Sequence, residues 1–228
     1  MRGVECSENV RFLRPAFEVF LNNLERFGHS MEWGTLAYHY NERATVSLFS
    51  AACWQTGMVA LEEYISSKKN GDDRYHGRAD MWAYCPVTGQ DIAIEAKQAW
   101  VGLGTGLSTI TKKIEEADRE ADKNEEAKIY ASLTFLVPSL DADISRNDVV
   151  ELFRRIHDHV LELNIDALAW WLPEEASGHR SRNRKNEKMT IWPGVLAVMR
   201  VVRMRGRGNR ISSKKRLHAT AWSLVPSD

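Results

Sequence analysis

Apolar residues along this chain follow helical spacing in some segments and form short apolar or alternating runs in others. The helical spacing predicts helices over residues 7–27, 38–56, 108–128 and 148–163. Residues 129–137, which end at Pro138, and residues 166–172 are typical of buried strands. Residues 58–66 fit either a strand or more helix, and the preceding Gly57 favours the strand. This order predicts an α/β (mixed α+β) fold with a mixed central β-sheet flanked by helices.

Two more strands are predicted on either side of a tight reversal. Residues 77–84 and 91–97 flank a six-residue segment whose Pro and Gly favour a turn. A hairpin centred on the middle of this segment places Asp80 directly opposite Glu95, where facing Cβ atoms lie about 4.5–5.5 Å apart. A bulge at Gly89 would shift the register by one residue, so both registers stay open.

Charged and apolar residues separate between the two faces of this predicted hairpin. Because strand residues two apart share a face, Glu95 and Lys97 project together. On the first strand, Asp80 shares its face with Trp82 and Tyr84. The alternate residues of the second strand face the core, and they are Ile92, Ile94 and Ala96. Two carboxylates and a lysine are therefore predicted to converge on one face of the sheet.

Opposed carboxylates repel each other unless a cation compensates their charge. Mg²⁺ prefers one or two carboxylates completed by waters and phosphate oxygens, so Asp80 and Glu95 form a candidate metal site. Lys97 would position the attacking water and stabilise charge that develops on phosphorus. The alternative is a solvent-facing strand on which Lys97 only neutralises its neighbours. A second Glu-x-Lys, Glu126 to Lys128, lies in a charged run that is predicted to be helical and exposed.

The charged hairpin carries a resemblance to a known family. Gly77-Arg78-x-Asp80, followed on the next strand by Ile94-Glu95-Ala96-Lys97, resembles the PD-(D/E)xK nuclease superfamily with its restriction-endonuclease-like core. The residue before Asp80 is Ala79, where the literal pattern has Pro. The resemblance covers a motif of about twenty residues together with a compatible order of elements.

The resemblance implies an α-β-β-β-α-β core in which Asp80 and Glu95 bind Mg²⁺ or Mn²⁺ and Lys97 assists catalysis. Related nucleases often place another acidic metal ligand, a Glu, near the start of the helix before the first strand, and Glu42 matches that position. Glu42 is equally explained as a helix-start carboxylate that interacts favourably with the helix dipole. Glu63, on the proposed first strand, is an alternative candidate for this further acidic ligand.

Charge is divided unevenly along a chain whose net charge is zero. Residues 1–179 carry 18 Lys and Arg against 29 Asp and Glu, whereas residues 180–216 carry 13 against one. Such a block is a candidate contact for a polyanion, and the alternative is a solvated basic surface. Its second part lies between apolar runs 191–202 and 217–225 and is predicted to tip a C-terminal β-hairpin. The candidate nucleic-acid-binding residues are Arg180, Arg182, Arg184, Lys185, Arg205, Arg207 and Arg210.

Length and apolar content fit one domain with additions at both ends. We expect an N-terminal helical extension over residues 1–37, a nuclease-like core over residues 38–175 and a basic C-terminal extension over residues 176–228 that packs on the core. No apolar run is long enough to span a bilayer. Three widely spaced cysteines without C-x-x-C spacing indicate reduced thiols, and we therefore expect a cytoplasmic protein.

The sequence thus predicts a metal-dependent deoxyribonuclease that requires Mg²⁺ or Mn²⁺. Two other classes stay open: a noncatalytic nucleic-acid-binding module that uses the basic block, and a protein-interaction domain whose charges only solvate its surface. Phosphate contacts carry no sequence information, so the target stays open, as do DNA against RNA and endo- against exonuclease action. Double-strand cutting by one small domain would suggest a homodimer.

Overall fold

The computed structural model describes residues 1–178, 181–182, 189–205 and 217. Four α-helices, α1 to α4, span Arg14–Ser30, Glu42–Gln55, Leu107–Ala121 and Arg146–Glu162. Ten strands, β1 to β10, span Arg2–Cys6, Val59–Asn70, Asp73–Cys85, Gln90–Val101, Ile129–Pro138, Leu140–Asp141, Ala167–Trp171, Ser181–Arg182, Met189–Ile191 and Val195–Met204.

Seven of these strands form one mixed sheet in the order β1-β7-β10-β5-β4-β3-β2. The neighbours β4 and β5 are parallel, and the other five pairings are antiparallel. A helix connects β4 to β5, as a parallel pair requires. The predicted α/β (mixed α+β) class with a mixed, helix-flanked sheet is confirmed. The order α2-β2-β3-β4-α3-β5 is also the element order that the resemblance implies.

The helices cover both faces of the sheet and create two cores. On one face, α1 and α2 pack through a cluster of aromatic rings in which Phe17 and Phe49 have centroids 4.7 Å apart. On the other face, α3 and α4 pack against β7 and β10 through residues such as Ile114 and Phe153. Strand β10 alternates between the two cores, because Ala197 faces the first and Val198 the second. This double burial explains why β5 and β10 are nearly continuous apolar runs.

The N-terminal region differs from its prediction. Residues 2–6 form β1, which pairs with β7 at the edge of the sheet, and α1 begins only at Arg14. The predicted helix over residues 7–27 is therefore shorter at its start. The second predicted helix begins at Glu42, where the Asn41 side chain accepts a hydrogen bond from the Ala44 backbone N–H at 3.0 Å. The strand favoured by Gly57 is confirmed as β2, and Gly57 itself has φ of +79°.

The third helix ends at Ala121, not at residue 128 as predicted. The chain after it turns and pairs with the far end of β2: the Lys69 N–H donates to the Lys123 carbonyl at 2.8 Å, and the Glu125 N–H donates to Ser67 at 3.1 Å. These bonds take the place of further helical hydrogen bonds. The second Glu-x-Lys is consequently not helical, although Glu126 is exposed as predicted.

The predicted C-terminal hairpin is only partly within the described residues. Its first arm is β10, which lies between β5 and β7 inside the sheet, so this part of the predicted extension is a central strand of the core. The second arm lies outside the described residues except for Leu217, whose N–H donates to the Ile165 carbonyl at 3.1 Å. Among the helices that the structure describes, none has the length and apolar character needed to cross a bilayer.

A buried histidine gives the fold a testable dependence on pH. His157 of α4 is fully buried beside Trp170, with ring centroids 5.2 Å apart. Burial lowers the pKa of His157 below its usual 6.5, and the neighbouring Asp158 carboxylate opposes that shift. The unfolded chain therefore binds a proton that the folded chain rejects. Stability that is present above the unfolded pKa is lost as the pH falls through the folded pKa.

We expect the free energy of unfolding, measured by urea titration, to fall between about pH 7 and about pH 5.5. His157→Phe removes the titrating ring and should flatten this dependence, whereas His76→Phe, at an exposed position, should keep it. Equal pH slopes for the wild type and His157→Phe would contradict the assignment.

Candidate active site

The hairpin of β3 and β4 has the predicted register. Its ladder runs from Cys85 paired with Gln90 to Met81 paired with Ile94, without a shift. A four-residue turn closes it, in which Gly89 adopts φ of +67°. The bulge considered at Gly89 is therefore absent from the ladder. Beyond its last pair, the same register brings Asp80 opposite Glu95.

The two strands separate at Asp80. The Asp80 Oδ2 atom accepts a hydrogen bond from the Ala96 backbone N–H at 2.7 Å, so a side chain replaces the next backbone rung of the ladder. From there β4 continues only against β5, with which it pairs as far as Val101. The gap leaves Asp80 and Lys97 half-buried rather than covered. The faces of β4 are as predicted, because Ile94 and Ala96 lie in the core on the side of α1 and α2.

Glu95 is much more buried than a solvent-facing carboxylate, with 4% of its surface exposed. Its Oε1 atom accepts hydrogen bonds from Lys68 Nζ at 2.7 Å and from Asn124 Nδ2 at 2.9 Å. Burial raises the pKa of Glu95, while the hydrogen bond from Lys68 lowers it and the negative charge of Asp80 raises it. Lys68 and Asn124 were not predicted as site residues, since neither has a diagnostic spacing from Glu95.

Lys68 reaches Glu95 because β2 is irregular. Ala60 and Lys68 are an even number of residues apart and would share a face in a regular strand. Ala60 packs in the core on the side of α1 and α2, whereas Lys68 contacts Glu95 on the other face of the sheet. Between them Glu63 has a left-handed φ of 51°, and it is the one residue of β2 between Val59 and Asn70 that is missing from the ladder with β3. Gly77 then leaves a path for the side chain, because a Cβ there would lie 2.9 Å from Lys68 Cδ.

The two candidates for a further acid have different surroundings. Glu42, at the start of α2, lies close enough to the hairpin that the charges of Lys97 and Asp80 act on it. Burial raises the pKa of Glu42, and Lys97 and the Gln98 backbone N–H oppose the rise. Glu63 is held instead by two arginines, Arg43 at 3.0 Å and Arg78 at 2.8 Å. Glu42 is thus subject to the charges of Lys97 and Asp80, whereas Glu63 is paired with two arginines.

Asp80 and Glu95 are the two carboxylates of the hairpin that could hold a divalent cation. Within the described ranges, no three His, Cys, Asp or Glu side chains converge closely enough to bind one ion, so Asp80, Glu95 and Glu42 do not form a three-ligand cluster. Mg²⁺ needs only one or two carboxylates when waters and phosphate oxygens complete its shell. The hydrogen bonds found on Glu95 fall on Oε1 and the one on Asp80 falls on Oδ2. No described residue forms a hydrogen bond with the other oxygen of either carboxylate, so each of these oxygens could bind a cation.

The second part of the basic block begins at Arg203, which is connected to this site through Asn124. The Arg203 guanidinium donates to the Asn124 carbonyl and to Asp122 Oδ1, and it stacks 3.9 Å from the Tyr130 ring centroid. Asn124 in turn contacts Glu95. Arg205, two residues further on, is exposed.

The other predicted contacts for nucleic acid cannot be placed relative to Glu95. Arg182 lies in the two-residue strand β8, where only its backbone is described. The remaining predicted contacts fall outside the described residues, and they are Arg180, Arg184, Lys185, Arg207 and Arg210.

Comparison of this chain with protein-family models, with curated proteins and with solved structures found no match. Inference about function therefore depends on the residues of the site and on their geometry. Three of those residues, Asp80, Glu95 and Lys97, were predicted from the sequence, and the register and strand faces agree with that prediction.

The buried pair of Lys68 and Glu95 makes a prediction about stability. Glu95→Gln keeps the shape of the side chain but leaves the Lys68 ammonium buried without a charged partner. Breaking a buried ion pair from one side costs about 3 kcal/mol or more, and we expect that loss in the free energy of unfolding measured with urea. Glu126→Gln, in the exposed Glu-x-Lys, should change it by less than about 0.5 kcal/mol. Equal effects of the two substitutions would show that the pair is not stabilising.

Proposed function

We propose that this protein is a metal-dependent nuclease that hydrolyses phosphodiester bonds of DNA and belongs to the PD-(D/E)xK superfamily. One observation carries the proposal: Asp80, Glu95 and Lys97 share one sheet face where β3 separates from β4. If β3 and β4 were hydrogen-bonded along their whole length, these side chains would project from a continuous ladder with no gap. Here the gap makes Asp80 and Lys97 accessible to a substrate.

Asp80 and Glu95 would hold Mg²⁺ or Mn²⁺ through their carboxylate oxygens. A divalent cation in that position would lower the pKa of a bound water and neutralise charge on the phosphate. The hydrogen bond from the Ala96 N–H fixes Asp80 on one side of the gap, and Lys68 with Asn124 fixes Glu95 on the other. This fixed placement is what hydrolysis requires of the carboxylates.

Lys97 supplies the cationic side chain that acts on the substrate. It lies on the same face as Glu95, and its charge acts on Glu42 at the start of α2. The Lys97 ammonium would orient the attacking water and stabilise negative charge on phosphorus in the transition state. Glu42 is therefore assigned to Lys97 as a partner rather than to the metal as a ligand.

The basic block supports nucleic acid as the substrate. Arg203 connects the end of β10 to Asn124 and hence to Glu95. Residues 206–216 come shortly after Arg203 in the sequence. That segment carries five Lys and Arg and no acidic residue. Phosphate contacts of this kind would supply affinity without sequence preference. Three free cysteines, Cys6, Cys53 and Cys85, are in keeping with the proposed cytoplasmic location.

A second candidate function follows from the contact between Lys68 and Glu95. An ammonium at 2.7 Å already compensates the carboxylate that a metal would bind. If that compensation is permanent, the same scaffold would bind nucleic acid through its basic block without cleaving it.

Cleavage assays separate these functions. Plasmid and single-stranded DNA would be incubated with Mg²⁺ or Mn²⁺ and either wild-type protein, Lys97→Ala or Lys128→Ala. We expect Lys97→Ala to lower the cleavage rate by about 100-fold or more, because the lysine acts on the transition state. Lys128→Ala, in the exposed Glu-x-Lys, should cleave at the wild-type rate.

Cleavage that survives in Lys97→Ala would refute the proposed site. Binding without cleavage by the wild type, measured by gel shift, would instead favour the noncatalytic module. Neither binding nor cleavage would favour a protein-interaction domain.

A further inference from the structure

The candidate metal ligand Glu95 is in contact with a buried lysine, to which the proposed hydrolysis gives a positioning role but no role for its charge. Lys68 has 6% of its surface exposed, and its Nζ atom lies 2.7 Å from Glu95 Oε1. Few lysines are buried to this extent without a specific partner. The Tyr64 hydroxyl is also buried in this region, and Glu95 is among the groups whose charge acts on it.

We propose that Lys68 is an internal counter-ion that opposes binding of a divalent cation at Glu95, so that metal enters the site together with nucleic acid. The inference rests on the proposed metal site formed by Asp80 and Glu95. It adds a role for a residue outside the motif: Lys68 sets the affinity of that site for metal and makes it dependent on the substrate.

The charges around the site support this role. Asp80, Glu95 and Glu42 contribute three carboxylates to these surroundings, and Lys68 and Lys97 contribute two ammonium groups. A divalent cation would therefore enter surroundings that are already close to neutral, beside an ammonium that repels it through a poorly solvated interior. A phosphodiester brings one negative charge and oxygen ligands. Because linkage is reciprocal, nucleic acid should tighten metal binding and metal should tighten nucleic-acid binding by the same factor.

Lys68 is held in place and is not free to swing away. Its aliphatic chain crosses Gly77 closely, and the backbone on both sides of it is tied to the segment after α3. Those ties are the hydrogen bonds of Ser67 with Glu125 and of Lys69 with Lys123, at 3.1 and 2.8 Å. The Lys68 ammonium contacts Oε1 of Glu95. A cation bound to Oε2 would therefore be repelled by the ammonium without displacing the ammonium. Lys68 therefore acts by opposing metal binding electrostatically rather than by blocking the ligand.

The test measures binding of Mn²⁺ and does not depend on turnover. Mn²⁺ affinity would be measured by electron paramagnetic resonance, with and without a phosphorothioate DNA duplex that resists cleavage. For the wild type we expect the duplex to tighten Mn²⁺ binding at least about fivefold. Lys68→Met, which keeps an unbranched side chain one atom shorter, should bind Mn²⁺ at least about fivefold more tightly than the wild type without DNA and should gain less from the duplex. Lys69→Met removes a neighbouring, half-exposed charge and should behave as the wild type does.

Unchanged Mn²⁺ affinity in folded Lys68→Met, or an equal gain in Lys69→Met, would overturn the inference. If circular dichroism shows that Lys68→Met is unfolded, the wild type decides, since equal Mn²⁺ affinity with and without the duplex would overturn it too. Asp80→Asn separates the two proposals. Mn²⁺ binding that requires Asp80 but ignores Lys68 would defeat the counter-ion and leave the nuclease standing. Duplex-dependent Mn²⁺ binding without DNA cleavage would support the counter-ion and defeat the nuclease.

Discussion

The hydrogen bond between the Asp80 carboxylate and the Ala96 backbone N–H determines the shape of the site. A side chain that accepts this N–H replaces a backbone carbonyl, and the ladder between β3 and β4 ends at the pair Met81 and Ile94, although β3 begins at Asp73 and β4 continues to Val101. From that point β3 pairs only with β2, and β4 pairs only with β5. The separation opens the sheet on the face that carries Glu95 and Lys97. A backbone donor thus both orients the carboxylate and makes the gap in which a substrate could lie.

Burial of charge is the second constraint, because the site places ionised groups where water is scarce. Glu95 is compensated by Lys68 and Asn124, and the Asn124 carbonyl is in turn held by Arg203 at the end of β10. Such a network stabilises the fold only while every member is present, since a buried charge left alone is costly. The central strand β10, the hairpin of β2 and β3, and the segment after α3 are therefore joined through one carboxylate. Folding of the sheet and assembly of the site depend on the same contacts.

The parts of this arrangement that could be predicted from sequence are those with local causes. Alternation and a Pro-Gly turn predicted the faces and the register of Asp80 and Glu95, and continuous apolar runs predicted β5 and β7. The contact of Lys68 with Glu95 could not be predicted, because it depends on a left-handed residue inside β2 and on a glycine in the facing strand. Strict alternation would place Lys68 on the wrong face. The end of α3 also lacked a local signal, since a partner strand far away in sequence takes its hydrogen bonds.

The two Glu-x-Lys tripeptides of the chain show what distinguishes the candidate active site from an exposed charged segment. Glu126 and Lys128 are exposed, and Lys128 donates to the Gly89 carbonyl across the hairpin turn. Glu95 has the same spacing to its lysine, yet it is buried, faces a second carboxylate and has a cation from another strand on one of its oxygens. If Lys68 served only to neutralise Glu95, an apolar pair of similar volume would do as well or better for stability. A charged lysine at this position, beside Asp80 and Lys97, has a physical reason if binding of a phosphate group changes the net charge of the site.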